Sequence, residues 1–217
     1  VDALQRVGGT AHGQVVNGEE TRMSQERTLD WSAGVWTNPP ARRLGSGPDL
    51  QVTASEGSDA WRETAYGFTF ATENALLSPF MPDTAMEVEF TAQTFEQFDQ
   101  AGIFLRAAPD LWVKAGVEFA DGQLQAGAVV TSPKSDWSSS PHHEWLGKRT
   151  VVRASWKGDA LTIRAGLAGH PLELLRVAPF SPAGPVSAGP YVASPASARF
   201  EAVFHSWRIT AADASLH

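Results

Sequence analysis

The sequence predicts an all-β protein, a two-sheet antiparallel jelly-roll sandwich, and three observations carry that reading. Short runs rich in Val, Ile, Thr, Phe and Trp recur from Trp31 onward. Gly, Pro, Asp and Ser interrupt them about every 8–12 residues. No window sustains the 3.6-residue period of a helix. Ten or more strands without helices bury their apolar faces by packing two sheets together. The chain has 217 residues, a length that suits one such domain. A chain of this size buries about 70% of its unfolded surface and needs no covalent staple.

The elements follow in order. Residues 1–30 are polar and aperiodic, with Gly at 8, 9, 13 and 18, and read as an arm or a few irregular strands laid on the domain. The domain spans 31–210, and 211–217 is a tail. Strands are expected at 50–54, 66–72, 85–95, 101–107, 112–119, 124–132, 149–156, 160–166, 172–180 and 199–209. In AMEVEFT, Met86, Val88 and Phe90 face one way and Glu87, Glu89 and Thr91 the other. Pro109-Asp110, Ala120-Asp121-Gly122 and Gly158-Asp159 are turn signals between strands. The Pro/Gly/Ser-rich stretches 132–141 and 181–197 read as loops.

Composition narrows the function classes. A net charge of -7 argues against a phosphate-backbone ligand, hence against nucleic acid. No apolar run approaches the roughly 18 residues of a membrane span. With no Cys there is neither a disulfide framework nor a thiolate metal site. The six His residues fall in no zinc spacing, and GxSxG, the P-loop and a strand–helix GxGxxG are missing. No metal ligands and no cofactor are evident; a structural calcium is compatible with the fold but unsupported by any residue pattern. The opening VDALQRVGGTAHG lacks the apolar core of a signal peptide, which favours a cytoplasmic location.

A series of motifs then carries a resemblance. WTNPP (36–40), SEGSDAWRETAYGF (55–68), FDQAGIFLR (98–106), WVKAGVEFADG (112–122), SDWS (135–138), LLRVAPF (174–180), GPYVASP (189–195) and RFEAVFHSWRI (199–209) appear in this order. Together they resemble the regulation-of-enolase family, a domain-of-unknown-function group with a concanavalin A-like fold. The resemblance implies a jelly roll whose concave sheet forms a groove. Folds of this type host lectins, glucanases, lyases and carbohydrate-binding modules, so a sugar ligand is an expectation by analogy.

The residues themselves point to a surface. In WVKAGVEF, Val113, Ala115, Val117 and Phe119 share the apolar face, leaving Trp112, Lys114, Gly116 and Glu118 on the other. In the preceding strand Ala101, Ile103 and Leu105 face the core, leaving Gln100, Gly102, Phe104 and Arg106. Pairing the two as a hairpin sets Gln100 against Glu118 and Arg106 against Trp112. An aromatic platform, charged groups and a glycine floor suit a flat polar ligand such as a sugar; Gly inside a strand also permits close approach of another backbone. The competing reading is a solvated face with Lys114 and Glu118 as an exposed ion pair of small worth.

SDWS adds Asp136 and Trp137 from a loop at the groove mouth. Asp136 either bonds a ligand hydroxyl or caps its own turn, and Trp137 is either a lid or a core anchor. Arg62 and Arg176 are weaker candidates. Glu118 is the candidate acid or base, with Asp99 or Asp136 as the second carboxyl a glycosidase needs. The ExDxxE spacing of concanavalin-like glucanases is absent from AMEVEFT. Three functions remain open: recognition of a carbohydrate or other small polar ligand, an enzyme on a small glycoside or polyol, and a regulatory protein-interaction domain. Oligomeric state is unspecified.

Overall fold

A computed structural model describes residues 26–216 except Thr94 and the side chain of Ser46. The proposed arm therefore lies outside the described residues up to position 25. In chain order the strands are β1 (Arg27–Thr28), β2 (Val35–Trp36), β3 (Arg42–Ser46), β4 (Asp49–Thr53), β5 (Ala60–Arg62), β6 (Thr69–Ala71), β7 (Asn74–Phe80), β8 (Thr84–Ala92) and β9 (Gln100–Ala108). They continue as β10 (Leu111–Ala120), β11 (Gln123–Thr131), β12 (Ser135–Pro141), β13 (Thr150–Lys157), β14 (Ala160–Leu167), β15 (Glu173–Pro179), β16 (Val186–Ala193) and β17 (Glu201–Ala211). Two single 3₁₀ turns, Trp31–Ala33 and His143–Trp145, are the helical residues of the described chain.

The strands form two antiparallel sheets, as the alternation requires. One runs β15-β14-β13-β8-β17-β4-β3, with β1 added on β17; the other runs β12-β11-β10-β9-β16-β7-β2. Met86, Val88 and Phe90 of the first and Ile103, Leu105 and Val113 of the second meet in one apolar core. Phe90 packs at a tilt against Phe204, and Trp156 meets Phe80 at a tilt and Phe180 edge-on. The turns match their residues: Asp121, Gly122 and Gly158 all take positive φ, the backbone that Asp-Gly and Gly-Asp supply in tight hairpins.

Both chain ends of the described region belong to the sandwich. Leu29 is buried and donates its N–H to Trp207 O at 2.7 Å. In the tail, Asp213 accepts from Arg153 at 2.9 Å and Arg164 at 3.2 Å.

Two stretches expected as loops are strands. The Ser-rich 135–141 is an edge strand on β11, and 186–193 lies between β9 and β7. Pro190 hid the second, because Pro cannot donate to a ladder. Here β16 pairs without a break against β9, but against β7 only at 186–188 and 191–192, so Pro190 faces the gap.

A third layer was not foreseen as one. β5 and β6 form a separate hairpin over the outer face of the seven-stranded sheet. Trp61 packs there on Phe104, Trp112, Val129 and Tyr191, a second apolar cluster apart from the main core. Arg62 ties the hairpin down: its N–H donates to Ser135 Oγ and its Nε to Pro133 O, both at 2.9 Å.

Candidate functional site

The β9–β10 register places Gln100 opposite Glu118 and Arg106 opposite Trp112, as the hairpin reading expects. Their face is largely covered, with Glu118 and Arg106 partly exposed. Gln100 and Lys114 are buried, because Asp59, just before β5, reaches down onto the sheet. Lys114 Nζ donates to Asp59 Oδ1 at 2.8 Å, so Lys114 pairs with Asp59 and not with Glu118. The Ala60 N–H, at 2.8 Å, and Gln100 Nε2, at 3.4 Å, point to the same oxygen. Gln100 Nε2 also approaches Glu118 Oε1 at 3.3 Å, and Tyr191 OH donates to Gln100 Oε1 at 3.5 Å.

Above this polar floor is a pocket of about 260 Å³, walled by Trp61, Tyr66, Phe68, Phe70, Phe98, Val129, Trp137 and Pro195. Tyr66, Phe68 and Phe70 form a ladder along the hairpin, with ring centroids 5.2 and 4.9 Å apart. Tyr66 and Phe68 come from the hairpin turn and Phe70 from β6. Trp137 and Phe98 are each more than a third exposed. Phe98 sits at φ 68, a left-handed backbone that disfavours a bulky side chain and is held here by its N–H to Phe119 O bond.

Burial pushes the Glu118 carboxyl up to about 7, with Lys114 opposing and Asp59 and Asp121 adding to the rise. Its proton therefore exchanges near neutral pH. Glu118 and Asp59 both reach Gln100 Nε2, so their carboxyl oxygens lie within the sum of those two contacts of one another.

The remaining expected residues part company with this pocket. Trp112 is only 4% exposed and stacks on Phe104 at 5.5 Å beneath the hairpin. It is a packing residue in the second cluster and not an open platform. Arg106 lies on the other side of the hairpin, in a groove of about 800 Å³ with Trp36, Leu77, Phe104 and Trp112. Phe70 borders both cavities, so the hairpin divides the predicted surface in two. Arg106 pairs with the fully buried Glu73, whose other oxygen Oε2 has no hydrogen-bond partner. Burial raises the Glu73 carboxyl, and Arg106 pulls against it.

Asp136 alternates with Trp137 along β12 and so points away from the pocket, where it binds Arg176 at 2.5 Å. Asp136, Arg176 and Arg62 line no part of this pocket, and the Asp136 carboxylate is engaged by Arg176. Asp99 closes the turn before β9, accepting from Glu96 N at 2.7 Å and Ser194 Oγ at 2.6 Å.

The glycines likewise serve the backbone. A Cβ on Gly102 would stand 2.0 Å from Ala115 O, and one on Gly116 2.1 Å from Ala101 O. They allow β9 and β10 to approach each other and leave no bare floor.

Asp59 and the hairpin aromatics are what sequence reasoning missed. All but Phe70 lie inside the motif SEGSDAWRETAYGF, and the alternating aromatics of YGFTF were visible. That this segment crosses the sheet and sets Asp59 over Lys114 is a tertiary fact with no local signal. Among the described residues no cluster of three or more His, Cys, Asp or Glu could hold a metal, and no helix is long and apolar enough to cross a membrane.

Comparison with known proteins agrees with the fold. A family described as "Protein of unknown function (DUF1349)" matches residues 36–212. Regulation of enolase protein 1 of Saccharomyces cerevisiae is 28% identical over 189 residues, covering 87% of this chain and 95% of that protein. A crystal structure of a functionally unknown protein from Saccharomyces cerevisiae superposes with a TM-score of 0.79 at 28% identity, over 84% of this chain and 98% of the other. A Bauhinia forficata lectin solved in complex with GalNAc gives 0.55 at 13% identity, over 88% and 99%. Xylan β-1,4-xylosidase from Bacillus halodurans gives 0.59 at 12%, over 75% of this chain but 32% of the enzyme. The last two show a shared sandwich and nothing finer.

Proposed function

The chain belongs to the DUF1349 family, and we propose that this member recognises a carbohydrate or sugar derivative in the pocket between the β5–β6 hairpin and the seven-stranded sheet. The observation that carries the reading is the pocket's division of labour: exposed aromatic faces as walls, and a hydrogen-bonding floor of Asp59, Gln100, Lys114 and Glu118. A sugar offers apolar C–H faces and a rim of hydroxyls, which is the complement. Small-ligand sites in general combine apolar walls with a few placed polar groups.

A thermal-shift panel of mono- and oligosaccharides, sugar acids and sugar phosphates, with and without calcium, tests this. Ligand at a hundred times its Kd stabilises by about 2.7 kcal/mol. A hit that disappears in Trp137→Ala supports the pocket. No response across the panel removes the carbohydrate reading and favours a regulatory protein partner.

Hydrolysis is a second reading, favoured by one observation: the two carboxyls near Gln100 differ in environment. Asp59 is paired with a cation, whereas Glu118 is desolvated and holds its proton to about pH 7. Such a split suits a base or nucleophile beside a general acid. Release of aryl alcohol from 4-methylumbelliferyl glycosides, lost in Glu118→Gln and in Asp59→Asn, is its expected signature; sugar binding without turnover overturns it.

A further inference from the structure

The charges of the pocket do not cancel. Lys114 is committed to Asp59, and no Lys or Arg lies within ion-pair distance of Glu118 among the described residues. Glu118 accepts one hydrogen bond, from Gln100 on β9. The charged and titratable groups that face it are Lys114 on its own strand, Asp59 from the segment entering the hairpin, Asp121 from the turn after β10, and Tyr191 from β16. Within the lining one ammonium thus stands against two carboxyl groups, Asp59 and Glu118, and an ionised Glu118 is left without a counter-ion.

The walls add to the same preference. Aromatic faces carry negative quadrupolar charge and attract a cation seated over them. Six rings border this one small pocket: Trp61, Tyr66, Phe68, Phe70, Phe98 and Trp137. A neutral sugar would use their apolar surface but leave the acidic excess unmatched. A sugar acid or phosphate would meet Glu118 and Asp59 with like charge.

We propose that the pocket selects amino sugars, carbohydrates bearing a protonated primary amine, with the ammonium against Glu118 and the ring between Trp137 and the hairpin aromatics. This rests on the carbohydrate reading and sharpens it to a charge class. An ammonium brought beside Glu118 favours its ionised form, so binding below neutral pH displaces a proton from the carboxyl. Affinity for the amine rises with pH through the Glu118 titration and falls again where the amine itself loses its proton. A neutral sugar follows neither limb.

Calorimetric titration tests this with glucosamine, galactosamine and mannosamine, each against its parent hexose and its N-acetyl derivative. Choline serves as a cation that is not a sugar. At least one amine is expected to bind about tenfold or more tighter than both neutral partners, the worth of one charge-assisted hydrogen bond. Near pH 6, heats measured in buffers of different ionisation enthalpy should show proton release for the amine alone. In Glu118→Gln the ratio of amine to neutral affinity should fall toward one. The wild-type proton count stands by itself if that variant folds poorly.

Equal affinities for amine and neutral sugar overturn the proposal and leave carbohydrate recognition intact, as does a preference that survives Glu118→Gln. Choline binding with no sugar binding overturns both.

Discussion

Glu118 shows how much one residue's surroundings decide. Its folded value lies near 7 against an ordinary 4.5, so the native state holds a proton that the unfolded chain releases. The sign follows: stability from this group is fully present below about pH 4.5 and is lost as pH rises through 7. Burial also raises Glu73 and Asp99, so they add in the same direction. Chemical denaturation of the wild type from pH 4.5 to 8 should show a loss on the order of 3 kcal/mol from Glu118. Glu118→Gln should flatten that slope and be the more stable protein at pH 8; an unchanged slope would place the carboxyl in water.

Arg106 poses the opposite case, a cation supporting a buried acid. Arg106→Ala should cost about 3 kcal/mol because Glu73 is left unpaired, and adding Glu73→Gln should recover part of it, measured as a double-mutant cycle. Gln100, Lys114 and Glu118 were legible because strand alternation alone assigns their face, whereas Trp137 was singled out from a presumed loop with its direction left open. Trp112 was assigned the right face but the wrong exposure, since the hairpin that covers it comes from fifty residues away in the chain. Asp136 was misplaced because its segment was read as a loop; as a strand, it must oppose Trp137.

At the scale of elements, the β9–β10 pair and the β5–β6 hairpin make the site between them. Gly102 and Gly116 stand opposite each other, and each lacks room for a Cβ against its partner's backbone. Gly102→Ala should therefore destabilise by about 3 kcal/mol or more, since the obstacle is a carbonyl and not a movable side chain. A thermal melt within a degree of wild type would contradict the register.

The hairpin is anchored by Trp61 in the second cluster, by the Arg62 bonds to Ser135 and Pro133, and by the Asp59–Lys114 and Glu63–Lys134 ion pairs. Ser135→Ala removes two hydrogen bonds, from the Arg62 N–H and with Thr131 Oγ1, each worth about 1 kcal/mol. Hydrogen exchange should quicken at the Arg62 amide, and residues 60–71 should lose protection before the sheet does. Most strands were legible from their alternation and turns. β12 and β16 were read as loops, and the short β1, β2, β3 and β5 and the longer β7 were not expected as strands either, because such segments are held by neighbouring strands or by an edge pairing that local propensity does not report.

On the scale of the molecule, the sandwich core and the candidate pocket are separate. The two sheets bury Val, Ile, Leu and Phe between them, and the site occupies the outer face of one sheet beneath an added layer. Pocket residues can therefore change with little effect on the main core, which suits a fold that carries unrelated functions in its relatives. The chain's acidity acts at this scale as well, discouraging anionic ligands at long range.

The most direct measurement is a crystal structure of the protein soaked in the sugar that gives the largest thermal shift. Density for a pyranose ring is expected in the pocket, one face on Trp137 and its polar edge toward Gln100, Lys114 and Glu118. Density in the Arg106 groove alone, or an empty pocket at a sugar concentration that saturates the shift, would contradict it.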